Sequence, residues 1–236
     1  MIYTVTLNPA LDKTVQIPSF RLGEVNRISA MRTDPGGKGI NVSKVLRELG
    51  EPSVAAAILG GAAGQKIESA LRALGIEGMY LFTGHETRTN LKIVDPTLHT
   101  NTDVNEPGAP ADEAVLSKLL TQLTGRLRPG DLVVLSGKAP AGAPDTLYRD
   151  WILACRAAGA AVYLDAEGEL LRQGVTAGPA LIKPNQAELS GVMGRPLTTE
   201  DETIRAAQEL LDAEPERLED RVILLWGRDW HPGVIG

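Results

Sequence analysis

Pro35-Gly36-Gly37-Lys38-Gly39-Ile40-Asn41 carries the strongest chemical signal in the sequence. Glycines let main-chain amides approach a ligand closely. Lys38 adds a point charge, and the helix that follows directs its N-terminus at the same spot. An anion such as a sugar phosphate suits that combination. A glycine turn that only starts a helix is the plainer alternative. The run is not a Walker-type loop, because no Lys-Ser or Lys-Thr pair closes a Gly-x-x-x-x-Gly stretch. Three other segments hold usable groups. Asp12, in Asn8-Pro9-Ala10-Leu11-Asp12, lies just past a short β-branched run and can accept from sugar hydroxyls, or it is a turn aspartate. Arg88 and Asn90, in Thr87-Arg88-Thr89-Asn90, offer a planar fork for phosphate and an amide that both donates and accepts; an exposed Arg88–Glu86 pair is the alternative. Lys183-Pro184-Asn185-Gln186-Ala187-Glu188 places Asn185 and Glu188 three apart at a helix start. They form a capping pair, or they offer oxygens that hold Mg²⁺ through water beside nucleotide phosphates.

Positioning these groups requires a layered fold. Ile2 to Leu7, Val54 to Leu59, Leu132 to Leu135, Val162 to Leu164, Leu181-Ile182 and Val222 to Leu225 are short apolar runs, the pattern of strands buried on both faces. Helical spacing separates them over Asn41 to Leu49, around Ile67, Leu71 and Leu74, and over Val115 to Leu127, Pro144 to Ala158 and Ile204 to Leu211. Repeated strand–helix units predict an α/β fold in three α/β/α layers around a mostly parallel sheet. Two segments break the rhythm. Residues 12–31 and 87–105 alternate polar and apolar side chains, as in Asn90-Leu91-Lys92-Ile93-Val94-Asp95. That alternation predicts a small β-sheet outside the main layer, inserted into one α/β domain spanning 1–236 and able to cover a site. The charged stretch Asp212 to Asp220 reads as a solvated loop.

Composition narrows the classes. The 236 residues include 43% hydrophobic and 23% charged side chains and carry a net charge of -6. An acidic chain has no general attraction for nucleic acid or anionic membranes, so any anion site must be locally positive. No apolar stretch reaches the ~20 residues that span a bilayer. The N-terminus shows no signal-peptide pattern, and the one cysteine, Cys155, sits in an apolar helical run as an inert thiol; both fit a cytoplasmic protein. His85, His99 and His231 lack metal-ligand spacing. A dinucleotide-dependent dehydrogenase would need Gly-x-Gly-x-x-Gly where Asn8-Pro9-Ala10 stands.

Taken in order, the segments resemble the ribokinase-like, or phosphofructokinase-B, sugar kinases. The likeness runs from Thr4-Val5-Thr6-Leu7-Asn8-Pro9-Ala10-Leu11-Asp12 to about Val222, and includes Val25-Asn26-Arg27, Gly36-Gly37-Lys38-Gly39-Ile40-Asn41, Gly60-Gly61, Thr87-Arg88-Thr89-Asn90, Asn105-Glu106-Pro107-Gly108, Ser136-Gly137 and Lys183-Pro184-Asn185-x-x-Glu188. The first and third of these are most similar to the subgroup acting on fructose 1-phosphate or tagatose 6-phosphate. The resemblance implies ATP-dependent phosphorylation of a ketose phosphate with Mg²⁺. Asp12 and Asn41 would hold sugar hydroxyls, and Gly36, Gly37 and Lys38 would shape the sugar-phosphate site, joined by Arg88 and Asn90 from a lid. Lys183, Asn185 and Glu188 would face ATP and the metal, Glu188 through water. The lid would also pair subunits into a homodimer.

Two departures from the family pattern stand out. Ser136-Gly137-Lys138 replaces the usual Ser-Gly-Ser. No Gly-Ala-Gly-Asp, which in relatives supplies the general base and an anion hole, occurs in the 236 residues; Asp229 in Trp226-Gly227-Arg228-Asp229-Trp230 does not match it. The expectations that follow are an impaired kinase or a non-catalytic sugar-phosphate binder, and an open sheet edge beyond Leu225.

Overall fold

The computed structural model describes residues 1–110, 112–212, 222–225 and 233–235. The chain opens with β1 (Ile2–Thr6), whose Tyr3 and Val5 join the larger core cluster. It then leaves the main layer for β2 (Ala10–Gln16) and β3 (Ala30–Gly36), which pair antiparallel. Gly37 alone separates β3 from α1 (Lys38–Glu48). The helix starts three residues before its apolar periodicity because Thr6 Oγ1 accepts the Ile40 N–H at 2.9 Å, satisfying one donor of the first turn. β4 (Ser53–Gly60), α2 (Gly61–Ala73) and β5 (Glu77–Thr83) complete one flank. The chain leaves again through β6 (Arg88–Asp95) and β7 (Thr100–Asn105). It returns as α3 (Glu113–Thr124), β8 (Leu132–Ser136), α4 (Leu147–Ala157), β9 (Ala161–Asp165), α5 (Gly168–Val175), β10 (Leu181–Ile182), α6 (Gln186–Met193), α7 (Glu200–Asp212), β11 (Val222–Leu225) and β12 (Gly233–Ile235).

The main sheet has eight strands in the order β12-β11-β10-β9-β8-β1-β4-β5, parallel throughout except for β12. Helices cover it on both faces, as the apolar strands require. β4 shows the division: Val54 and Ala56 join the cluster containing α3 and α4, whereas Ala55, Ala57 and Leu59 join Ile40, Ile67 and Leu71 of α1 and α2. Cys155 of α4 is fully buried, and burial pushes its thiol up to about 12, in keeping with an inert thiol. The expectation of an open edge beyond Leu225 is corrected: β12 pairs with β11 antiparallel and covers it. The charged stretch from residue 213 onward, His231 and Asp229 lie outside the described residues.

The second sheet has the order β3-β2-β6-β7. The alternation in the two off-rhythm segments is realised there, with one difference. Residues 17–29 are not strand; they hold turns, with Ser19 at φ 56° and Gly23 at φ 77°. Buried Asp95 ties that loop down, accepting from the N–H groups of Ser19 at 3.0 Å, Phe20 at 2.7 Å, Thr97 at 2.8 Å and Leu98 at 3.1 Å. Thr87 pins the start of β6 to the end of β4, where its Oγ1 accepts from Gly60 N at 2.8 Å and its N–H donates to Gly60 O at 3.0 Å.

Candidate active site

Strand order reverses at β1. The chain proceeds from β1 toward β4 and β5 on one side and later returns to β8 on the other. Parallel sheets leave a crevice beyond the carboxyl ends of the strands at such a point. A cleft of about 370 Å³ occupies it, lined by Thr6 and Asn8 after β1, Gly37 and Lys38 at α1, Ser136, Gly137 and Lys138 after β8, and Arg88, Asn90 and residues 105–107 from the small sheet.

The glycine turn is dictated by proximity. A Cβ on Gly36 would stand 2.0 Å from Asp12 Oδ2, and one on Gly39 would stand 2.5 Å from Thr6 Oγ1 and from Val5 O. Gly37 has φ 116°, open to glycine at little cost. Asp12 therefore lies flat against the turn, and its Oδ1 accepts from Asn90 Nδ2 at 2.9 Å. Arg88 donates to Asn8 O at 3.2 Å, Glu106 O at 3.0 Å and Asn90 Oδ1 at 3.3 Å. Burial draws its pKa down, against the carboxylates of Asp12 and Glu106, which favour the charged form. Arg88 is not paired with Glu86, whose carboxylate instead accepts from Ala62 N and Ala63 N at the start of α2, at 3.2 and 2.6 Å. Asn41 is one turn into α1 and exposed; its Oδ1 accepts from Lys44 at 3.4 Å, and Lys44 lines an adjoining groove with Asp12 and Asn90.

Asp165, at the end of β9, was not singled out by the motifs. Its Oδ1 meets Lys38 Nζ at 3.1 Å and Lys183 Nζ at 3.5 Å, so one carboxylate joins the glycine turn to the Lys-Pro-Asn segment. A carboxylate directly after the short apolar run Val162 to Leu164 marks the sheet edge where ligands sit, which gives its position but not its partners; Asp12, expected just past the first strand, lies instead within β2 of the small sheet. Asn185 and Glu188 form a reciprocal cap on α6. Asn185 Oδ1 accepts from Glu188 N at 2.9 Å, and Glu188 Oε2 accepts from Asn185 N at 2.8 Å. No group of three or more His, Cys, Asp or Glu that could hold a metal directly occurs among the described residues. The remaining oxygen of Glu188 is compatible with indirect, water-mediated contact. No described helix is long and apolar enough to cross a membrane.

Known proteins share both sequence and architecture with this chain. The 1-phosphofructokinase of Xanthomonas campestris pv. campestris is 38% identical over 212 residues, covering 88% of this chain and 67% of that protein. The 1-phosphofructokinase of Rhodobacter capsulatus is 39% identical over 210 residues, covering 89% and 66%. The chain thus spans about two thirds of the length of these curated relatives. Among solved structures, the tetrameric inhibited form of phosphofructokinase-2 from Escherichia coli superposes with a TM-score of 0.91 at 28% identity, over 99% of this chain and 76% of that one. The pfkB family carbohydrate kinase model matches residues 5–218, and this chain belongs to that family.

Proposed function

We propose that the cleft binds a ketose phosphate and ATP, and that the chain's reaction is ATP-dependent phosphorylation of fructose 1-phosphate to fructose 1,6-bisphosphate. One observation carries this reading: Asp165 holds Lys38, from the glycine turn, and Lys183, from the Lys-Pro-Asn segment, on a single oxygen. Phosphoryl transfer is mainly positioning and neutralisation of charge. Two ammonium groups tied to one carboxylate bring the sugar-phosphate side of the cleft next to its nucleotide side. Asp12, Asn90 and Asn41 accept and donate at the sugar hydroxyls, and Arg88 and Lys38 face the sugar's phosphate. Lys183, Asn185 and Glu188 face the nucleotide. Glu188 would hold Mg²⁺ through water, and the ion would supply neutralisation of the phosphate charge of bound ATP. The small sheet acts as the lid of a single α/β domain. Its exposed Leu22, Val25, Ile28 and Met31 support pairing with a second subunit, and the setting is the cytoplasm.

Calorimetry on the Lys38→Ala variant tests the sugar-phosphate assignment. Loss of one charge-assisted hydrogen bond costs ~1.5–3 kcal/mol, so fructose 1-phosphate should weaken by that much while fructose is unaffected. Equal losses for both sugars would refute it.

A further inference from the structure

We propose that Lys138 is a further phosphate-binding residue of the cleft, held by Glu167 at rest and released to a phosphate group of the bound substrate. The proposal rests on the reading of the cleft given above and adds to it a cation that the Lys38–Asp165–Lys183 cluster does not include.

The turn that carries Lys138 is fixed. Gly137, at φ 93°, donates its N–H to Asp165 O at 2.9 Å, and its carbonyl accepts from Tyr148 Oη at 3.0 Å. The backbone of Lys138 is therefore anchored at the cleft wall, while its side chain is 69% exposed and its Nζ meets Glu167 Oε1 at 3.0 Å. An exposed ion pair of this kind is weak and easily exchanged. The four-carbon stem and compact ammonium let the charge swing to a better anion without moving the turn.

A second observation shows that the same wall is prepared for a ligand. Ser136, two residues earlier and 1% exposed, lines the cleft, and its Oγ has no hydrogen-bond partner among the described residues. Arg88 Nε, on another residue lining the cleft, is likewise buried without a partner among the described residues. Buried donors left unpaired are costly, and a phosphate oxygen would satisfy both hydroxyl and guanidinium while presenting its charge to Lys138. The phosphate can be that of the sugar or one of the nucleotide's; the chemistry at Lys138 is the same.

Calorimetry with fructose 1-phosphate, ATP and fructose, each titrated separately, distinguishes the sources. Lys138→Met keeps the stem and removes the charge; because the side chain is exposed, the circular dichroism spectrum should match wild type. The variant should bind fructose 1-phosphate or ATP about tenfold more weakly or worse, with fructose unchanged and the loss shrinking at high salt. Glu167→Gln frees Lys138 and should tighten the same ligand. A loss confined to fructose 1-phosphate identifies the sugar phosphate as the partner, and one confined to ATP identifies the nucleotide. Wild-type binding that Lys138→Met leaves unaltered for both phosphorylated ligands would overturn this proposal alone. A wild-type protein that binds neither would overturn the proposed function as well.

Discussion

Thr6 serves the glycine turn with both ends of its side chain. Its Oγ1 accepts from Ile40 N, and its methyl carbon would lie 2.5 Å from a Cβ on Gly37. The three neighbouring glycines should therefore respond differently to the same added methyl. In Gly39→Ala the new carbon meets the backbone oxygen of Val5 at 2.5 Å, and backbone on both sides resists movement. That variant should lose ~1–3 kcal/mol of stability, seen as a lower denaturant midpoint. In Gly36→Ala the clash is with the end of the Asp12 carboxylate, which can rotate away. Stability should change less, but the Asp12–Asn90 bond breaks, so fructose 1-phosphate affinity should fall. If Gly36→Ala kept full affinity, Asp12 would have no part in sugar binding. Beneath the turn, Ser43 is completely buried between Thr4 Oγ1 at 2.7 Å and Ser53 Oγ at 2.9 Å. Ser43→Ala strands two buried hydroxyls and should cost ~1–3 kcal/mol.

At the level of elements, Asp95 holds the small sheet's loop through four amides. Burial works to raise its pKa, and the donors, Leu98 and Phe20 foremost, outweigh it, leaving the carboxyl below its ordinary value. A depressed folded-state pKa gives stability that is complete above the unfolded value, near ~3.9, and is lost as pH falls through the folded one. Hydrogen exchange should therefore show the amides of Ser19, Phe20, Thr97 and Leu98 losing protection in acid before those of β1 and β8. Asp95→Asn should produce the same opening at neutral pH. Unchanged protection in that variant would show that the loop is held by something else. This clamp could not be read from sequence, because it joins residues more than seventy positions apart. The apolar runs of β1, β4, β8 and β9 were legible because burial on both faces leaves no polar alternation to confuse them. β5 was not: as an edge strand it carries the mixed sequence Glu77-Gly78-Met79-Tyr80. α5 was missed because it is eight residues long with glycines at positions 168 and 174. In the site, the glycine turn, Asp12 and Arg88 were visible as local motifs. Asp165 was not, since its role depends on two lysines brought from α1 and from the segment after β10.

For the whole molecule, the net charge of -6 contrasts with a cleft whose lining sets Lys38, Arg88 and Lys138 against the single carboxylate of Glu106. The small sheet's loop exposes Leu22 at 90% and Val25 at 82%, more apolar surface than a lone subunit favours. Light scattering at micromolar concentration should report a dimer, and Val25→Asp should shift it toward monomer; a wild-type monomer would remove the role given to that surface. A single residue, Gly37, lies between the last position of β3 and the first of α1. The backbone there has no slack to take up, so this is the tightest of the four places where the chain crosses between the small sheet and the main layer, like a short pin between two plates. A ligand held by Asp12 on one plate and Lys38 on the other spans that pin. Its grip is then set by chain length as much as by charge. Inserting one glycine after Gly37 would remove no binding side chain yet let the plates slide, trading a rigid vice for a loose one.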